Sequence, residues 1–152
     1  MKFRMLMSAL LLATCLVFTA GCGKKSSGST NAAAPATREL TPQEKVASDF
    51  FKAYVAGDVE TAMKFVSMSD EAKARLAKTI RGWAEWKKGV TGRNKEFVTM
   101  VESAKIGKST SKGDAVVITL VYQSGGRSSE RDAFILKQIG GKWLITEYDI
   151  MR

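Results

Sequence analysis

Few residues in this chain can do chemistry. Among 152 residues there is no histidine, and the only two cysteines are Cys15 and Cys22. A histidine-based triad and a histidine-ligated zinc site are therefore excluded, and the commonest acid–base side chain is missing. What remains is carboxylate, tyrosine and arginine chemistry, most of it near the C-terminus. If the last strands pair through two-residue turns, Asp132 stands opposite Asp149, with Glu147 one pair away on the same face. Like charges directly opposite on a sheet are unfavourable, so this cluster needs an explanation. One is a hard-cation site, or an acid pair in which one carboxyl has a raised pKa. The plainer one, which carries more weight, is a pair of solvated strand ends with Arg127 or Arg152 nearby. No EF-hand spacing is present, and neither a metal nor a cofactor is expected. Arg131 is a charge amid Ile118, Leu120 and Ile150, placed either to hold an anion bidentately or to pair with a carboxylate such as Glu147. Tyr54, Trp83, Trp86, Tyr122 and Tyr148 offer apolar bodies with one polar handle, as small-ligand pockets require. Such residues at helical spacing are more often core: that reading is the heavier one for Phe51 and Trp83, and evenly balanced for Trp86, Tyr122 and Tyr148.

The element that must position these residues is the stretch from Asp114 to Ile150. Ala115–Tyr122 is an apolar run rich in β-branched residues, which suit a pleated surface. Gly125-Gly126 and Gly140-Gly141 separate it from two further strand-like runs, and paired glycines permit the positive φ of tight hairpin turns. Two-residue loops place Ser124 opposite Arg127 and Ile139 opposite Lys142. Counting outward puts Val116, Ile118, Leu120, Arg131, Ala133, Ile135, Leu144, Tyr148 and Ile150 on one face. Val117, Val121, Phe134, Leu136, Trp143 and Ile145 fall on the other. A one-residue slip would exchange the faces. Neither face is simply polar, so helices are expected on one and a partner, a ligand or more of the chain on part of the other.

Ahead of the sheet the pattern is helical. Thr41-Pro42-Gln43-Glu44 is a helix start, with Thr41 as cap, Pro42 at the first position and Glu44 as reciprocal partner. Val46, Phe50, Phe51, Tyr54 and Val55 form an apolar stripe, and Gly57 can end the helix. Asp58 caps a short second helix. Ser69 starts a third, whose buried side carries Ala72, Leu76, Ile80 and Trp83, with Trp86 at its margin. Val90 to Asn94 reads as loop, Phe97–Ile106 as the first strand, and Gly107–Gly113 as its connection to the meander. Helices followed by an antiparallel sheet make the class α+β.

The first 39 residues are not globular in composition. Lys2 and Arg4 precede an apolar stretch from Met5 to Phe18, too short and wrongly flanked to span a membrane. Thr19-Ala20-Gly21-Cys22 resembles the bacterial lipobox. That resemblance implies a signal peptide over residues 1–21 and a thioether-linked diacylglycerol on Cys22, often with an N-acyl chain such as palmitate; the alternative is a plain secretory signal with an incidental cysteine. Gly23 is not the aspartate that marks inner-membrane retention in enteric bacteria, which points to the outer membrane facing the periplasm if the source is Gram-negative. Residues 22–39 then form a lipidated, flexible tether, leaving 40–152 as one domain. Net charge is +9, and +7 once Lys2 and Arg4 are removed. The charges are evenly spread, as ordinary solubility requires, and no basic cluster interleaves with aromatics as a nucleic-acid platform would.

Two stretches carry a family resemblance. Pro42-Gln-Glu-Lys-Val-Ala-Ser-Asp-Phe-Phe51, continued by Ala56-Gly-Asp-Val-Glu-Thr-Ala-Met63, resembles the opening of nuclear-transport-factor-2-like domains. Ala115–Tyr122 and Leu136-Lys-Gln-Ile-Gly-Gly-Lys-Trp-Leu-Ile145 resemble their closing sheet. With the lipobox, the chain is similar to the bacterial lipoproteins grouped as domain of unknown function 4878. The resemblance implies a cone-like fold, with helices packed on a curved, four-stranded antiparallel sheet and a pocket between them. A scaffold this widely shared does not specify a function. Its histidine-dependent enzymes are excluded here, and no motif maps an isomerase's residues onto this chain. The expectation is a lipid-anchored binding module, not an enzyme, working through the pocket or through the second sheet face as a homodimer or partner contact. The alternatives are a small isomerase- or cyclase-like enzyme using carboxylate and tyrosine, and a cell-wall-associated accessory lipoprotein with a basic surface.

Overall fold

The long helix α1, Pro42–Ala56, starts and stops where its local chemistry requires. The Glu44 amide donates to Thr41 Oγ1 (3.3 Å), and the Thr41 amide donates to Glu44 Oε2 (2.9 Å), closing a capping box. Gly57 ends the helix at φ 83°, a left-handed conformation that a residue with a Cβ adopts only at a cost. Helices α2 (Val59–Met63), α3 (Asp70–Lys88) and α4 (Arg93–Glu102) follow. The strands are β1 (Lys105–Lys112), β2 (Ala115–Ser124), β3 (Arg127–Ile139) and β4 (Lys142–Tyr148). They pair antiparallel in the order β1-β2-β3-β4, and Val66 adds a parallel bridge to Ile145 at the β4 edge. This computed structural model describes residues 38–150. The expected signal peptide, the expected lipidation site Cys22 and most of the expected tether lie outside the described residues.

Both glycine pairs form the expected turns: all four residues have positive φ, and Ser124 faces Arg127 as Ile139 faces Lys142. Further from the turns the simple register fails. Irregularities between Ile118 and Thr119, and between Ile135 and Leu136, each shift the pairing by one residue. Ile118 therefore pairs with Phe134, and Phe134 with Tyr148. Because side chains alternate, a one-residue insertion reverses sidedness beyond it. Phe134, Leu136 and Ile145 join Val116, Ile118, Leu120 and Tyr148 on the inner face, while Ile135 and Leu144 turn away from it. The expected division of β3 and β4 between the faces is corrected accordingly. So is the acidic cluster. Asp132 pairs with Thr119, Glu147 with Ile135, and the Asp149 amide donates to the Ala133 carbonyl (2.8 Å), so Asp132 and Asp149 are not opposite each other. Among the described residues no group of three or more potential metal ligands forms.

The segment read as a first strand is also corrected. Residues up to Glu102 are helical, and β1 occupies Lys105–Lys112, where a connection was expected. Alternation in Phe97–Ser103 is weak, whereas Val98 and Val101, three apart, lie on one helical face and are both buried. Thr99 Oγ1 donates back to the Lys95 carbonyl, so this β-favouring residue is accommodated within the helix, and Ser103 Oγ at its C-cap donates to the Met100 carbonyl.

The core lies between α1 and the inner sheet face. Phe50 is fully buried and meets Phe134 edge-on, with ring centroids 5.6 Å apart and planes at 84°. Glu44 is the one buried charged residue among those described. Burial pushes its carboxyl up, but the Thr41 amide, the Arg38 guanidinium (2.6 Å) and the hydroxyls of Ser109 and Thr41 pull it down further, leaving it below the ordinary glutamate range. A carboxyl depressed in the folded state stabilises the fold above its unfolded pKa, and that contribution is lost as pH falls. Stability should therefore decline below pH about 4.3, and Glu44→Gln should flatten that acid limb in urea titrations run across pH.

Gly107 sits in the irregular part of the β1–β2 ladder. A Cβ there would collide with Thr119 Oγ1 and come within 2.8 Å of Glu130 Oε1 and of Val121 Cγ2. The Lys108 amide donates to the same two oxygens, at 2.7 and 3.1 Å. Gly107→Ala should cost about 2 kcal/mol, measured as a lowered urea midpoint at unchanged slope.

A candidate ligand groove along helix α3

Tyr54, near the end of α1, lines two adjoining cavities on one side of the domain. The first, about 540 Å³, lies between α3 and the end of β4 and is bounded by Arg75, Thr79, Glu147, Tyr148 and Asp149. The second, about 380 Å³, runs on toward α4 and is bounded by Thr79, Gly82, Trp83, Trp86 and Phe97. Tyr54 and Thr79 belong to both, so the two form one groove. Helical geometry explains its length. Arg75, Thr79, Gly82 and Trp86 recur at intervals of four, three and four residues and thus share one stripe of α3, roughly 16 Å long at 1.5 Å per residue. A larger, open hollow of about 720 Å³ between α4 and the β2–β3 turn is lined almost wholly by exposed side chains, including Lys95 and Glu96, and has no buried polar group.

The groove has two chemical halves. At one end Trp86 is 42 % exposed and Phe97 41 %, although both are large and apolar. Trp86 packs against Trp83 (centroids 5.5 Å) and Phe97 (6.1 Å, edge-on). At the other end Glu147 and Asp149 are exposed carboxylates, and Arg75 Nη1 donates to Glu71 Oε1 (2.9 Å). Tyr54 stands between the halves. It is 1 % exposed, no hydrogen bond of its hydroxyl occurs among the described residues, and no buried polar side-chain atom there lacks a partner. The hydroxyl must therefore reach the groove.

The pocket residues expected from the sequence separate into two groups. Tyr54, Trp83, Trp86 and Tyr148 come together here. Trp83 forms a wall, its indole N–H donating to the Val55 carbonyl (3.1 Å). Tyr148 lines the first cavity and approaches Phe50 (6.4 Å). Tyr122 does not join them: it is buried, and its hydroxyl donates to the Ile150 carbonyl (2.8 Å), which ties down the segment after β4. Arg131 is exposed on β3 opposite Leu120 and lines neither cavity. Of the acidic residues, Glu147 and Asp149 reach the groove. Sequence reasoning did not single out Arg75, Thr79, Gly82 or Phe97. For the three residues on α3 the signal was the helical stripe itself, with a glycine in mid-helix.

Gly82 has no structural reason to be glycine. Its φ lies outside the left-handed region, and an added Cβ would meet nothing within 4 Å. Glycine in a helix interior costs about 1 kcal/mol relative to alanine. Gly82→Ala should therefore stabilise the domain by up to about 1 kcal/mol, read as a raised urea midpoint.

Burial, followed by the proximity of Tyr148 and Tyr122, pushes the Tyr54 hydroxyl up to about 12. A folded pKa above the unfolded value near 10 means that the contribution is whole below pH about 10 and lost as pH rises toward the folded value. Burial also pushes the Tyr122 hydroxyl up, so phenolate absorbance should show late ionisation that Tyr54→Phe reduces but does not abolish.

No family model matches this sequence, and no curated protein is similar to it. Among solved structures, a Campylobacter jejuni protein described as a nuclear-transport-factor-2-like transpeptidase is 19 % identical, with a TM-score of 0.50. That match covers 70 % of this chain and 99 % of the other. A SEC-C motif containing protein from Rhodopseudomonas palustris is 14 % identical, with a TM-score of 0.43 over 70 % of this chain and 77 % of its own. The first likeness shows a nuclear-transport-factor-2-like fold, an α+β cone, and at that identity it shows the fold alone.

Proposed function

We propose that this chain is a lipid-anchored cell-envelope protein, akin to the lipoproteins grouped as domain of unknown function 4878, whose domain binds a ligand in the groove at Tyr54. The observation that carries the binding reading is the Tyr54 hydroxyl, held in a residue that is 1 % exposed and aimed into a groove with apolar and polar ends. Few placed polar groups among apolar walls are what orient a small ligand. The anchor rests on Thr19-Ala20-Gly21-Cys22 behind a short basic and apolar leader. Among the described residues no helix is long and apolar enough to cross a membrane.

A second reading, an enzyme using carboxylate and tyrosine, draws on the meeting of Tyr54, Tyr148, Glu147 and Asp149 in one cavity. Both carboxylates are exposed to water there, and among the described residues that line the cavity no histidine, cysteine or lysine accompanies them. Binding is the better account.

Two measurements test the proposal. The intact mass of the mature protein should show an acylated Cys22, and Cys22→Ser should move the protein from the membrane to the aqueous fraction. N-phenyl-1-naphthylamine, an apolar fluorescent amine, should bind the full chain saturably, and Thr79→Trp should abolish its binding by filling the groove. An unmodified Cys22 removes the anchor, and probe binding that is absent or unchanged in Thr79→Trp removes the groove.

A further inference from the structure

We infer that the groove takes a neutral, linear saccharide, with one sugar ring lying over Gly82 against the exposed indole of Trp86. This deepens the groove-binding reading and rests on it. Four observations narrow the ligand. First, Gly82 leaves the helix surface clear in mid-helix, at a cost in stability and with no packing neighbour within 4 Å to require it. Second, Trp86 and Phe97 remain about two-fifths exposed, so that the flat indole offers an apolar surface with Phe97 set edge-on beside it. A pyranose ring matches that surface, because its C–H face is apolar while its edge carries hydroxyls. Third, the line from Trp86 to Arg75 is long and open to solvent, and it becomes polar from Tyr54 and Thr79 toward Arg75. The Tyr54 hydroxyl can donate to a ligand oxygen, and the Glu147 and Asp149 carboxylates can accept from ligand hydroxyls. Thr79 Oγ1 donates to the Arg75 carbonyl (3.0 Å) and keeps acceptor capacity for the same hydroxyls. A wholly apolar ligand would cover these groups without partnering them, which is costly. Fourth, an anion is disfavoured: Glu147 and Asp149 face the polar end, and the guanidinium there, Arg75, is already held by Glu71.

The test uses the full chain in a sugar-free detergent, with the trimer of N-acetylglucosamine and maltotriose as probes, titrated by calorimetry. At least one trimer should bind saturably. Gly82→Leu, which fills the ring space, and Trp86→Ala, which removes the platform, should each weaken binding roughly tenfold or more, while Lys142→Ala should leave it unchanged. Circular dichroism melting checks that the variants fold; should Gly82→Leu fail to fold, Trp86→Ala decides. If neither trimer binds while N-phenyl-1-naphthylamine still binds and is lost in Thr79→Trp, the saccharide assignment falls and the groove stands. If the naphthylamine does not bind either, both fall. Trimer binding that is unchanged in Gly82→Leu and Trp86→Ala also overturns the inference, because the sugar is then held elsewhere.

Discussion

Phe134 lies between Ile118 and Tyr148 in the sheet and beneath Phe50 of α1, and the rest of the domain depends on that placement. It exists because β2–β3 and β3–β4 each carry a one-residue irregularity that reverses sidedness partway along the ladder. Without them Phe134 and Leu136 would point away from α1. With them the inner face presents a continuous apolar surface from Val116 to Tyr148, and α1 can bury Phe50, Phe51 and Tyr54 against it. Irregular pairing of this kind also bends and twists strands, which lets a four-stranded sheet curve around a helix.

The same arrangement determines where a ligand can go. The interior of the cone is filled by Phe50, Leu76, Ile80, Phe134 and Leu136, so the accessible space is displaced to its flank, along α3. There Tyr54 is the hinge between chemistries. Its ring belongs to the core, and its hydroxyl belongs to the groove. Gly82 is the complementary signal: a residue that weakens its helix, that nothing in the packing demands, and that widens the groove beside the exposed Trp86. Local departures from what stability favours are expected where a surface is kept for function.

Three contacts hold the groove's walls in register. Trp83 Nε1 and Lys87 Nζ both donate to the Val55 carbonyl, and Lys87 also reaches Glu102, joining the end of α1 to α3 and α4. At the opposite end of α1, Glu44 links the entering chain at Arg38 to the first turn of the helix. The point at which the chain enters the described domain is thus fixed to α1, the helix that packs on the inner sheet face.

What the sequence determined by itself was the local chemistry. Thr41, Pro42 and Glu44 specify the start of α1, Gly57 its end, and the two glycine pairs their hairpins, because each signal acts within a few residues. The α+β class followed from the change of period between the two halves. The missing histidines excluded whole mechanisms without any need for coordinates. Tertiary structure decided three things. It made Phe97–Glu102 helical, since a segment with nearly balanced patterns takes the form that buries Val98 and Val101. It placed the irregularities that moved Asp132 away from Asp149 and Phe134 into the core, and these depend on contacts between strands rather than on any one strand's composition. It also separated Tyr54 and Trp86 from Tyr122, although all three are aromatics with a polar handle. Only the packing around each ring settles whether the handle meets a carbonyl in the interior, as at Tyr122, or open space, as at Tyr54.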